Sequence, residues 1–183
     1  MRSKVESQDC EPERESVNGV LTLEMKDLQI GEQISMGGFS TIHIGKYFEL
    51  DVAIKKVFNP NISEQLLEEF NNEVNMLAKY RHPNIVLLVG AITKPPTLCI
   101  AMELVKEGTL FDLIHKKKTN FSDNDKKKIA IQMVSVISYL HHHGIAHRDI
   151  KSHNMLVDKN YTVKLCDFGL AKHKVTQNIL RVN

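Results

Sequence analysis

Four short runs of the 183-residue chain carry the residue types that chemistry needs, and they occur in a fixed order. They are Met36-Gly37-Gly38-Phe39-Ser40, Val52-Ala53-Ile54-Lys55, His147-Arg148-Asp149-Ile150-Lys151-Ser152-His153-Asn154 and Asp167-Phe168-Gly169. Glycines in a turn let the backbone come close to a bulky anion such as phosphate, because they lack a Cβ and tolerate φ > 0. Lys55 ends an apolar, β-branched run, and an ammonium in such a place needs a counter-charge. Glu68, Glu69 and Glu73 compete for that role. Glu73 lies beside Phe70, Val74 and Leu77, which recur at helical spacing, so it faces inward with them. Taken alone, a Lys55–Glu73 pair is equally well an ordinary surface ion pair. His141, His142, His143 and His147 suggest a metal cluster, but adjacent helical residues point in different directions and do not share one ion.

The elements that must position these residues follow from periodicity. Leu28, Ile30 and Ile34 mark a first strand, Gly37 and Gly38 a turn, and 41–45 and 52–57 two further strands. Over 63–80, Leu66, Phe70, Val74 and Leu77 form one apolar stripe of a helix, capped by Asn61 or Ser63. His82-Pro83-Asn84 breaks the chain before strands at 85–90 and 98–102. After Gly108 the pattern turns helical, with a short helix at 109–115 and a long one at 123–142 that ends at Gly144. Ile129, Met133, Val136, Ile137 and Leu140 share one face of the long helix. Two strand-like runs close the series, at 155–157 and 162–165. The fold class expected is α+β, with no internal repeat.

Composition narrows the function classes. With 24 Lys and Arg against 22 Asp and Glu, the formal charge of +2 argues against nucleic acid as the main partner. The runs 116–118 and 126–128, all lysine, read as solvated helix ends. Cys10, Cys99 and Cys166 show no paired spacing, which fits free thiols and a reducing, cytoplasmic setting. The N-terminal run has no apolar core of a secretory signal. The longest apolar run, 85–92, falls well short of the roughly 20 residues that span a bilayer.

Together, the four runs resemble the signature set of the protein kinase family: a Gly-rich loop, a strand lysine, an H-R-D loop and D-F-G. The resemblance runs from about residue 23 to at least 172. It implies a small antiparallel β lobe with one long helix over 23–102, a hinge at 103–107 and a mostly helical partial lobe over 108–183, behind a flexible extension at 1–22. It further implies ATP and Mg²⁺ as cofactors and protein hydroxyls as substrate. Lys55 would hold the phosphates and pair with Glu73, which the motif's register favours. Asp149 would receive or orient the substrate hydroxyl, Lys151 would screen charge, and Asn154 and Asp167 would supply oxygen ligands to Mg²⁺. Ile34, Gly37, Gly38, Ile42, Ala53, Met102, Glu103, Val105 and Leu156 would form the nucleotide site. In it, Ile42, Ala53 and Leu156 sandwich the adenine, Met102 is the gatekeeper, and the backbone of Glu103 and Val105 bonds the adenine edge. His147, Phe168, Leu77 and Leu88 would stack into a spine. Arg148 would meet a phosphate on the activation loop, for which Thr176 is the candidate. Lys151 after Asp149 resembles the Ser/Thr form, and the stretch from Asp149 to Asn154 resembles the tyrosine-kinase-like group of Raf-type and mixed-lineage kinases.

Two departures shape the expectations. Where the family has G-x-G-x-x-G, this chain has Ser35, Gly37 and Ser40. A serine forced into left-handed geometry costs roughly 1–2 kcal/mol, so weakened nucleotide binding is expected. Only 14 residues follow Gly169, and the family's A-P-E motif is not among them. The sequence therefore reads as truncated within the activation segment. An exposed apolar face on the long helix is expected, and the second reading of function is a non-catalytic regulatory module that binds nucleotide or a full-length kinase.

Overall fold

The computed structural model describes residues 16–17, 19–58 and 62–173. Asn61, Cys10 and Thr176 lie outside them. Two short strands, β1 (Ser16–Val17) and β2 (Val20–Leu21), pair antiparallel. Val20 and Leu23 are buried, and the Leu23 N–H donates to Ala91 O at 2.9 Å. Packed structure thus starts before residue 23, earlier than the polar composition of 1–22 suggests. The reason is Gly90, whose missing side chain makes room: a Cβ there would lie 2.7 Å from Leu21 O and 2.8 Å from Leu23 Cγ.

The main sheet has five strands: β3 (Leu28–Met36), β4 (Ser40–Tyr47), β5 (Leu50–Val57), β6 (Leu88–Ile92) and β7 (Cys99–Glu103). Their order is β3-β4-β5-β7-β6, antiparallel throughout. Alternation sends successive side chains to opposite faces. Ala53, Ile100 and Met102 join a large core with helix α1 (Glu64–Lys79), while Val52, Ile54, Cys99 and Ala101 join Leu23, Leu28 and Ile92 in a smaller cluster behind. Helix α1 starts at Ser63, whose Oγ accepts from Leu66 N–H at 3.2 Å, satisfying one of the orphan donors of a helix start.

The helical half holds a π-type turn (Asp112–Lys116), α2 (Asp123–His142), and the strands β8 (Ile145–Ala146), β9 (Met155–Val157), β10 (Val163–Leu165) and β11 (Lys172–His173). Strands β9 and β10 form a hairpin, and β11 returns to pair with β8. Ser122 and Asp125 make a reciprocal capping box at the start of α2, and Gly144 at φ +70° follows its end. Ile129, Val136 and Leu140 are buried, with Met133 and Ile137 packed beside them. The outward side of α2 carries Ile131 and Val134, 69% and 66% exposed.

Asn84 ties the two halves together. Its buried amide donates to Val163 O at 2.8 Å and to Gln132 Oε1 at 2.9 Å. Around it, Leu165 N–H donates to Asn84 O at 2.8 Å and Val86 N–H to Leu165 O at 3.0 Å. The large core accordingly runs without a break from Val57 and Leu77 to Val136 and Phe168.

Candidate active site

Strand β5 and helix α1 bring Lys55 and Glu73 together, Nζ to Oε2 at 2.6 Å. Lys55 also reaches Asp167 Oδ1 at 3.3 Å. Of the competing carboxylates, Glu68 is exposed and Glu69 accepts from Gln65 at 3.0 Å instead. Burial alone would pull the Lys55 ammonium down, but attraction from Glu73 and Asp167 outweighs it and raises the pKa above its ordinary value. The lysine is therefore a fixed positive charge, with its side chain 19% exposed. Asp167 sits at φ +62°, a left-handed conformation that is costly for a residue with a Cβ. Its side chain is 46% exposed.

The second half of the site is the loop between β8 and β9. Asp149 Oδ2 accepts from Lys151 Nζ at 2.7 Å and from Asn154 Nδ2 at 2.8 Å. The Lys151 hydrogen bond, with that of Asn154, holds the Asp149 carboxyl below its ordinary value. Asn154 spends the same amide nitrogen on Asp149 O at 2.9 Å. His147 underpins the loop. Its Nδ1 accepts from the Asp149 N–H at 3.3 Å, which leaves the proton on Nε2 to donate to Cys166 O at 3.3 Å. Burial lowers its pKa, in keeping with a neutral ring. His147 and Phe168 meet edge to face, centroids 4.8 Å apart, and Phe168 belongs to the core cluster that also holds Leu77 and borders Leu88.

The Gly-rich turn joins β3 and β4, closed by Gly37 N–H donating to Ser40 O at 2.7 Å. Neither Ser35 nor Ser40 has a positive φ. The left-handed strain on which the expected weakening rested is thus not present. Ala53 pairs with Met102 across β5 and β7, and Ile42 pairs with Lys55 across β4 and β5. Ala53 and Met102 are buried in the core, with Ile42 and Leu156 packed against it from the two halves. Val105 is half-buried in the connection after β7, whereas Ile34, Gly37 and Gly38 stand exposed. Ile34 is 51% exposed and belongs to neither core cluster.

A strand lysine paired to a helix glutamate, facing a carboxylate that follows a hairpin, is the arrangement the four runs anticipate. A family model described as protein kinase domain matches residues 28–181. The chain belongs to the protein kinase family. Among curated relatives, a Dictyostelium discoideum protein named a probable serine/threonine-protein kinase is 42% identical over 84% of this chain and 17% of its own length. The Arabidopsis thaliana serine/threonine-protein kinase CTR1 is 40% identical over 82% of this chain and 19% of its own length. The serine/threonine-protein kinase STY46 of the same plant is 38% identical over 88% and 28%. The chain thus spans between about a sixth and just over a quarter of these relatives.

Two features of this kinase domain have no trace in the motif spacing. Asn72, the residue before Glu73, donates to Ala171 O at 2.9 Å. Glu103, at the end of β7, uses Oε1 twice, accepting from Leu87 N–H at 2.7 Å and from Lys164 Nζ at 2.8 Å. Both are contacts between residues far apart in the chain, visible only once the fold brings them together. Cys166 is reached by the same route: its Sγ donates to Asn154 O at 3.4 Å, and burial pushes the thiol up to about 12.

Proposed function

We infer that the chain carries the ATP-binding and catalytic portion of a protein serine/threonine kinase, which moves the γ-phosphoryl group of ATP to a protein hydroxyl. One observation carries this reading: the Lys55 ammonium lies between Glu73 and Asp167, at 2.6 and 3.3 Å. Phosphoryl transfer is largely a matter of positioning and charge stabilisation, and a pinned cation is what a triphosphate needs. Lys55 binds the phosphates, and Ile42, Ala53, Met102 and Leu156, all in or against the large core, support an adenine slot. The exposed turn at Gly37 and Gly38 covers the phosphates with its backbone.

Asp149, ionised and held below its ordinary value, is a weak base. It orients the substrate hydroxyl and accepts its proton only as the oxygen forms its bond to phosphorus and the bond to the departing diphosphate breaks. Lys151 is close enough to screen the charge that moves. The donor set fits Mg²⁺. With the Asn154 nitrogen committed to Asp149, its oxygen is left for a cation, and Asp167 adds a carboxylate. Two such ligands plus phosphate oxygens suit a hard ion that keeps its waters. When bound, the ion would neutralise charge on the phosphates. Two free thiols among the described residues support the reducing cytoplasm as the compartment, and a full-length kinase is a further candidate partner.

The test is transfer of labelled phosphate from ATP–Mg²⁺ to a generic protein substrate, with Asp149→Asn and Lys55→Met as comparisons. Transfer lost at least 100-fold in Asp149→Asn, with nucleotide affinity kept, is the expected result. Nucleotide binding that needs Lys55, without any transfer, would instead identify a nucleotide-binding regulatory module.

A further inference from the structure

The proposed chemistry leaves one well-placed amide unused. Asn72 Nδ2 lies 2.9 Å from Ala171 O, 3.3 Å from Phe168 O and 3.5 Å from Gly169 O. All three acceptors are carbonyl oxygens, so only the –NH₂ end of the side chain can face them. Its two N–H groups are shared among three acceptors, with Ala171 O at the shortest distance. The next residue on the helix, Glu73, grips the same turn by another path, through Lys55 to the carboxylate of Asp167. Two consecutive residues of α1 therefore hold Asp167-Phe168-Gly169 at two points, one on a side chain and one on the backbone.

The turn needs holding. Asp167 stands at φ +62°, and such conformations persist only when their surroundings enforce them. Stability alone does not explain the contact. Asn72 is half-buried and borders an open concavity lined by Glu64, Leu67, Glu68, Asn71 and Asn75. Water there can satisfy both the amide and the carbonyls with little loss. What water cannot supply is a fixed distance between the helix and the turn.

We propose that Asn72 is a positioning residue that couples the placement of α1 to the geometry of Asp167. The proposal rests on the phosphoryl-transfer reading above. A helix displaced outward loses the Asn72 contacts and the Lys55–Glu73 pair together, so the turn and the charge pair move as one unit.

The experiment compares Asn72→Ala and Asn72→Asp in the whole chain. Aspartate is isosteric but sets a carboxylate against three carbonyl oxygens, so a packing role makes it the milder change and a hydrogen-bonding role makes it the harsher one. The first readout is exchange of the Ala171 amide, which donates to Phe168 O at 2.9 Å in this turn. Exchange should rise about ten-fold in Asn72→Ala and further in Asn72→Asp, with amides of residues 129–140 unchanged as the control for folding. The second is kinetic: kcat falls in the same order, while KM for ATP stays within about two-fold. Parent-like exchange in Asn72→Asp, or faster exchange with kcat intact, would overturn the proposal. A parent chain with no transfer, indistinguishable from Asp149→Asn, would fail the phosphoryl-transfer reading; the exchange order alone would then decide whether Asn72 holds the turn.

Discussion

Lys55 and Glu73 show how a buried pair is costly to break and cheap to replace. Glu73 is 4% exposed. Its loss in Glu73→Ala strands a lysine with only Asp167 at 3.3 Å, and we expect destabilisation of about 3 kcal/mol in a urea melt. The apolar double variant Lys55→Met with Glu73→Leu should melt later than Glu73→Ala, although we expect it to lose nucleotide binding. The opposite ranking would mean that the pair is net stabilising. A second prediction concerns His147, which burial holds below its ordinary value of 6.5. The unfolded chain takes up a proton there before the folded one does, so stability is complete above about pH 6.5 and falls as pH drops below it. Thermal melts at pH 7.5 and 5.0 should show the loss, and His147→Gln should flatten part of it; His82, which burial also lowers, adds to the loss in the same direction. Glu73 was legible in the sequence because it neighbours an apolar stripe. Asn72 was not, since an asparagine on a half-exposed helix face looks the same whether it meets water or a carbonyl 99 residues away.

Among the elements, α2 was the most legible. Its capping box and terminal glycine are written in adjacent residues, and the expected bounds 123–142 are those observed. Strand β6 was expected at 85–90 and lies at Leu88–Ile92. Ile85 and Val86 are buried and β-prone, but they pair with Leu165 of the other half rather than with the sheet, a tertiary choice that local pattern does not encode. The Gly-rich turn failed in another way. The motif pattern assigns its serines a left-handed backbone that β3 and β4 do not impose. With no positive φ to relieve, Ser35→Gly with Ser40→Gly should leave ATP affinity unchanged within about three-fold by titration calorimetry, or weaken it through added flexibility. A ten-fold gain would restore the strain explanation.

For the molecule as a whole, a single apolar core links the sheet to α2 and the β9–β10 hairpin, and Asn84 is the polar knot within it. Asn84→Ala takes the side-chain donor from Val163 O and one of two donors from Gln132 Oε1, which keeps the Val163 N–H at 3.1 Å. We expect a loss of about 2–3 kcal/mol, seen in one transition by circular dichroism and near-ultraviolet probes alike. Separate transitions for sheet and helices would contradict a shared core. Glu103 adds something the core does not. One carboxylate oxygen, at the end of β7 where the chain leaves the sheet, bears on Leu87 of the sheet side and Lys164 of the hairpin side. In mechanical terms it is a pin through a hinge. Sliding one half across the other would have to shear both bonds at once, whereas a tilt about Glu103 would strain them less, so we expect relative motion of the halves to favour rocking over sliding.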